Sequence, residues 1–371
     1  MSSSLSSIVS GEPTPVNIGV ILDMKSRVGK SSFVSMKIAM DDFYTAHPDY
    51  TTRIVFKTRD AQKKVISAAA AALDLIQNEK VQAIIGPQTS SEAQFVGDLG
   101  AKANVPIVSF SATCPALSPT QSPFFIRTGL NDAAQAPAIA ALIQAYRWRR
   151  LVPIYEDTDY GAGFIPSLVE ALLGVGVNVP YHSIVSKDSA DDDLLLELYR
   201  LKSMQTRVFL LHMSTSLAVK LFDQAEAAGM MDEGFVWIIS GTLTSLLPSV
   251  ALDSIQGVLG LRPYVPVNTD KYHKFHKRWR REFRREFVSE DDDDDSTKLT
   301  TFSLWAYDTV WAVALAVEAA APPDFTRVVS EGRWTDLSAI PVSKTGKKLL
   351  QEIKKTTFTG LAVNSILLEE S

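Results

Sequence analysis

Short apolar runs alternate with helix-patterned segments along most of this chain, and few folds accept that order. VNIGVIL, a helix over Phe33 to Tyr44, TRIVFKT, a helix over Ala61 to Glu79, VQAIIG, a helix ending near Ala103 and VPIVSF follow one another. Strands that are apolar along their whole length are buried on both faces, and strands separated by helices pair in parallel. The pattern restarts after Asn131: a helix over Ala134 to Ala145, RLVPIYE, a helix over Phe164 to Leu173, NVPYHSIV, a helix over Asp192 to Lys202, RVFLLH, a helix over Leu217 to Ala228, and FVWIIS. The expected fold is therefore α/β, with two doubly wound parallel-sheet lobes facing one another across a cleft.

After Gly257 the order loosens into a strand GVLGLRPYV, a basic helix over 271 to 287, an acidic run, a helix over 302 to 320 and a polar tail containing FTGLAV. These segments can return the chain to the first lobe, and several crossovers then act as a hinge. The expected boundaries are a disordered lead over 1–15, a first lobe of 16–131 plus about 258–350, a second of 132–257 plus about 351–371, and an acidic loop over 288–297.

Composition removes several function classes. A chain of 371 residues, 46% hydrophobic and 21% charged, can bury an ample core. The net charge of -5 owes six negative charges to Glu290 through Asp295, and the nearly neutral remainder does not suggest nucleic acid. Cys114 is the only cysteine, so an internal disulfide is impossible. The N-terminal MSSSLSSIVSGEPTP lacks a basic n-region and an apolar h-region, and reads as a disordered lead rather than a signal peptide. The apolar run Leu304 to Ala321 is interrupted by Asp308 and Glu318 and reads as a core helix, not a membrane span.

Two strand ends carry clusters of hydroxyls. VQAIIG breaks at Gly86-Pro87 into Thr89-Ser90-Ser91-Glu92, with Thr89 and Glu92 at capping-box spacing, and VPIVSF opens into Ser109, Ser111 and Thr113. Carboxyl ends of strands face the ligand crevice of an open parallel sheet, and a helix start there favours an anion. Capping alone is the competing reading. Tyr160, before Gly161 at the matching edge of the second lobe, offers an aromatic wall and one hydroxyl.

Other motifs dissolve on inspection. Arg27-Val28-Gly29-Lys30-Ser31 invites a phosphate-loop reading, but Met24 stands where the first glycine belongs. In KYHKFHKRWRREFRREF, Tyr272, Phe275, Trp279, Phe283 and Phe287 share one helical face, so the aromatics pack inward and the bases lie outside. His47, His182, His212, His273 and His276 form no metal-ligand pair, and no G-x-S-x-G elbow accompanies the serines. No enzyme, metal or cofactor is expected.

Over Val16 to Thr359 the chain resembles the amino-terminal domain of plant glutamate receptor-like channels, within the wider type I periplasmic-binding-protein and receptor ligand-binding family. The resemblance is carried by IGVILD with Gly29-Lys30, IAMDDFY, AIIGPQTSSEA, VPIVSFSATCPAL, PFFIRT, AIAALIQAYRWRRLVPIYEDTDYG, VWIIS, GVLGLRPYVP and LWAYDTVWAVALAVE. It implies two lobes joined by three crossovers that close on a ligand. It also implies that Ser90, Ser111 and Thr113, with Thr89 beside them, hold an amino-acid-like ligand's carboxylate and amino group, and that Tyr160 closes over it. Where amino-acid receptors place an acidic residue after the VWI strand, this chain has Ser240-Gly241-Thr242; the lost charge-assisted hydrogen bond is worth about 1.5–3 kcal/mol. Cys114 likewise replaces a small hydroxyl residue.

The resemblance further implies a receptor, truncated before the pore, on the extracellular side of the plasma membrane, oligomeric with related subunits and without nucleic-acid partners. The chain as given holds no membrane segment and could not itself conduct ions. The expected function is that of a ligand-binding regulatory domain whose closure biases a channel; the alternative is an assembly module that binds nothing in its cleft.

Overall fold

The computed structural model describes residues 12–118, 120–248, 255–287, 298–320, 327–328, 340–362 and 366–367. The first lobe runs β1 (Thr14–Leu22), α1 (Arg27–Ala46), β2 (Thr52–Asp60), α2 (Val65–Gln77), β3 (Ala83–Ile85), α3 (Ser90–Ala103), β4 (Ile107–Ser109) and β5 (Phe125–Arg127). The second runs from a 3-10 turn, Asp132–Gln135, through α4 (Ala136–Ala145), β6 (Val152–Glu156), α5 (Asp159–Gly174), β7 (Ser183–Val185), α6 (Asp191–Ser203), β8 (Val208–His212), α7 (Thr215–Ala227), β9 (Val236–Ile239), α8 (Gly241–Leu246) and β10 (Leu259–Gly260). The sheets are ordered β2-β1-β3-β4-β5 and β7-β6-β8-β9-β10, every pair parallel. Each lobe thus winds in the order 2-1-3-4-5, with its switch point beside its first strand.

Alternation places the core. In β1, Ile18, Val20 and Leu22 enter one apolar cluster with α1, while Ile21 enters another with α2 and α3. The second lobe likewise has a cluster on each sheet face, one with α6 and α7 and one with α4 and α5. α9 (Asp270–Phe287) and α10 (Thr301–Ala320) return the chain to the first lobe. α10 is buried on nearly every side, and α9 buries Phe275, Trp279 and Phe283 with its bases outward. The core-helix and packing-face expectations therefore hold; among the described residues no helix is long and apolar enough to cross a membrane. β11 (Arg327–Val328) pairs antiparallel with β12 (Val342–Ser343), α11 (Gly346–Lys355) follows, and β13 (Thr357–Phe358) pairs antiparallel with β14 (Ile366–Leu367).

Several expected boundaries are corrected. β1 already includes Thr14 and Pro15, because β3 pairs only with Ile18 to Val20 and the missing Pro15 N–H costs no ladder bond. β10 pairs with β9, so the second lobe extends past 257. Ile353, Leu361 and Ala362 lie in the first lobe's core, beside Leu349, and not in the second's, as far as the tail is described. The buried Asp308 carboxylate fixes that placement by accepting the Leu361 and Ala362 N–H groups at 2.7 and 2.9 Å, and a side chain at Gly360 would collide with it. The acidic loop 288–297 and the lead up to residue 11 lie outside the described residues.

Two helices start earlier than their patterns suggest. α1 opens on Ser26, whose hydroxyl accepts the Gly29 N–H at 2.9 Å, and α5 opens on Thr158, which accepts from Gly161 at 3.2 Å. A Cβ at Gly29 would overlap the Asp23 carbonyl, and one at Gly161 the Glu156 carbonyl, so both turns need glycine for close approach. Lys30 and Ser31 therefore sit inside a helix. Ser31 is buried against Ser303 and Lys30 lies over the Phe287 ring, which removes the phosphate-loop reading.

Candidate functional site

The chain crosses between lobes after β5 and again after β10, and a cavity of about 150 Å³ opens between these crossings. The first lobe lines it with Thr113, Leu130, Phe302 and Trp305, and the second with Gly241, Thr242, Ser245, Arg262 and Pro263. Asp132 and Gln135, on the first crossover, complete it. Gly129 makes room for the Trp305 ring, which a Cβ there would approach to 2.6 Å.

Asp132 is the chemical centre. It is 3% exposed; its N–H donates to the Thr113 carbonyl at 2.9 Å, and its Oδ1 accepts from Gln135 Nε2 at 2.8 Å. Gln135 Oε1 in turn accepts the Gly241 N–H at 2.8 Å, tying the crossover to the second lobe. Asp132 Oδ2 is shut off from solvent and meets no partner in full hydrogen-bond geometry, with the Thr113 side chain beside the carboxylate and His212 Nε2 3.9 Å away. Burial pushes the Asp132 carboxyl up to about 7, against weaker stabilisation of the anion by Thr113, Arg127 and Gln135.

His212 closes the back of the site. Its ring packs on Tyr160 and Phe164 with centroids 4.3 and 4.9 Å apart. Nε2 is 3.2 Å from the Tyr160 carbonyl, an acceptor only, so Nε2 carries the proton and Nδ1, at 3.0 Å, accepts from the Ser240 hydroxyl. Burial drives the imidazole down to about 4 and keeps it neutral. Burial, then the neighbouring Asp132 charge, raises the Tyr160 phenol, whose hydroxyl meets Thr242 and Ser240.

The sequence-expected residues are partly gathered here. Thr113 lines the cavity and Tyr160 borders it through Thr242. Ser90 instead lines a separate groove of about 520 Å³ with Cys114 and Asp159, and its Oγ accepts the Cys114 N–H at 3.2 Å. Ser111 donates its hydroxyl to the Gln88 carbonyl at 2.9 Å, and the exposed Thr89 caps α3 in a capping box with Glu92. Asp132, Gln135, His212 and Arg262 were not expected. The terminal position of His212 on the apolar strand RVFLLH is a signal of burial; Asp132 carries none, because an unpartnered oxygen is a tertiary property. Among the described residues no cluster of His, Cys, Asp or Glu could hold a metal ion.

Comparison with known proteins decides the family. The model of the receptor family ligand binding region matches residues 32–370. The chain belongs to that family. It is 39% identical over 358 residues to glutamate receptor 2.7 of Arabidopsis thaliana, covering 95% of this chain and 37% of the relative. Glutamate receptors 2.8 and 2.9 of the same plant are each 40% identical, over 94% and 95% of this chain and 36% and 37% of their own lengths. The chain thus spans little more than a third of these curated relatives. A receptor ligand-binding region is not an enzyme family, and its two-lobed α/β architecture is the one described above.

Proposed function

We propose that this chain is the ligand-binding regulatory region of a glutamate receptor-like channel on the extracellular side of the plasma membrane, taking a small amino-acid-like ligand in the interlobe cavity. The observation that carries this is Asp132: a buried carboxylate with one oxygen unpartnered, at the wall of a cavity between two lobes. Leaving such an oxygen dry and unpaired costs about 1–3 kcal/mol or more, and a ligand ammonium would offset that cost. Thr113 and Thr242 add neutral partners, and Tyr160 stiffens the second-lobe wall. Asp132 thereby takes the part for which residue 241 holds only glycine. Ligand binding would bias the lobes' relative arrangement and, through it, an attached channel.

The test is a thermal-shift screen of the standard amino acids against the wild-type chain and Thr113→Val. A shift with at least one amino acid, diminished in the variant, supports the reading; no shift with any of them contradicts it. A second reading, assembly with related subunits, is favoured by Ile66 and Phe95, which are 84% and 52% exposed on the neighbouring helices α2 and α3. Sedimentation of wild-type and Ile66→Lys/Phe95→Lys chains tests it: dimers lost in the double variant support pairing, and a strict wild-type monomer contradicts it.

A further inference from the structure

Charge enters the cavity at two places. Among its described lining residues Asp132 is the one acid and Arg262 the one base. Arg262 stands at the start of the second crossover, exposed to solvent, and forms no ion pair among the described residues. Asp132, on the first crossover, is buried. The cavity lining therefore includes one residue of each sign, the buried Asp132 and the solvent-exposed Arg262.

Two of the hydroxyls expected to hold a ligand, Ser90 and Ser111, are not available to this cavity. Ser111 is already hydrogen-bonded to the Gln88 carbonyl, and Ser90 faces the other groove. Thr113 and Thr242 remain as neutral partners, whereas the Ser245 hydroxyl donates to the Gly241 carbonyl at 2.8 Å. A carboxylate meets its strongest partner in a guanidinium, whose planar fork gives two parallel donors. The rest of the wall includes the apolar Leu130, Leu261, Pro263, Phe302 and Trp305. About 150 Å³ is the size of an apolar cavity that accepts benzene, so the space suits a compact side chain and offers no third charge to an acidic one.

We propose that Arg262 anchors the ligand's carboxylate while Phe302 and Trp305 receive an apolar side chain, so that the cavity selects compact neutral amino acids over acidic ones. This rests on the reading of the cavity as the ligand site. The ammonium lies at Asp132, the carboxylate at Arg262 and the side chain on the aromatic wall.

Calorimetric titration of the whole chain at pH 8 with L-leucine, 3-methylbutylamine and L-glutamate tests it, on the wild type and on Arg262→Gln. 3-Methylbutylamine is leucine without its carboxylate. The wild type should bind leucine at least about tenfold more tightly than either other probe, and Arg262→Gln should weaken leucine about ten- to a hundredfold while leaving the amine unchanged. An unchanged thermal midpoint shows that the exposed substitution left the fold intact. Leucine binding equally to both chains, or wild-type affinity for glutamate or the amine equal to that for leucine, overturns the role of Arg262 while leaving the cavity reading standing. No heat from any probe in the wild type overturns both.

Discussion

Folding moves a proton at the lobe junction, and that gives the site a pH signature of its own. In the unfolded chain near pH 5, Asp132 is ionised and His212 protonated, since their ordinary values are 3.8 and 6.5. In the folded chain Asp132 is protonated up to about 7 and His212 is neutral down to about 4. A raised carboxyl contributes stability that is complete below its unfolded value and lost as pH rises through its folded one; a depressed imidazole contributes stability that is complete above its unfolded value and lost as pH falls. At about 1.4 kcal/mol for each tenfold change in proton affinity, each group is worth roughly 3–4 kcal/mol across its window, with opposite slopes between about pH 4 and 6.5. The wild type therefore shows little net dependence from this pair. Urea unfolding of wild type, Asp132→Asn and His212→Gln at half-unit steps from pH 4.5 to 7 separates them. The stability difference, wild type minus variant, should fall with pH for Asp132→Asn and rise for His212→Gln. Packing lost with the imidazole ring adds a constant offset and no slope. Flat differences would refute the reasoning. Reversed slopes would instead mean a charged Asp132–His212 ion pair.

Other consequences follow from single contacts. Asp308→Ala leaves the buried Leu361 and Ala362 N–H groups unpaired and should cost about 3–5 kcal/mol in urea unfolding, with Asp308→Asn, which keeps one acceptor oxygen, costing less. Gly161→Ala, whose methyl would overlap the Glu156 carbonyl, should lower stability by more than about 2 kcal/mol, and the same change at the open Gly174 should be nearly neutral. An added Cβ at Gly241 meets nothing nearer than 3.5 Å, so Gly241→Asp should fold and, by calorimetry at pH 8, bind leucine about tenfold more tightly. Leucine affinity should fall about tenfold per pH unit below 7 as Asp132 takes up its proton. Of the titratable groups beside Asp132, the His212 imidazole is depressed to about 4 and the Tyr160 phenol is raised, so neither adds a transition near pH 7.

The lobes were legible because a strand buried on both faces is apolar over nearly its whole length, and VNIGVIL, VQAIIG, RVFLLH and FVWIIS are. Helix starts were not, because Arg27–Ser32 and Asp159–Gly163 carry glycines that ordinarily argue against a helix; here the glycines meet strand-end carbonyls from Asp23 and Glu156. GVLGLRPYV reads as a long strand, yet only Leu259 and Gly260 pair, at the sheet's edge. The hydroxyl clusters were visible but ambiguous. Thr89 proved to be a cap and Thr113 a cavity residue, and only tertiary placement separates the two. Asp132 stayed hidden because its burial depends on Gln135, His212 and Tyr160, up to 80 positions distant in sequence as His212 lies from Asp132.

The central claim is that the junction cavity holds a ligand's ammonium on Asp132. Titrating the wild-type chain and Asp132→Asn with whichever amino acid gives the largest thermal shift, at pH 8 where the carboxyl is ionised, measures it directly. The substitution keeps the shape and removes the charge, so affinity should fall by at least about tenfold. Equal affinity in the two chains would contradict the account.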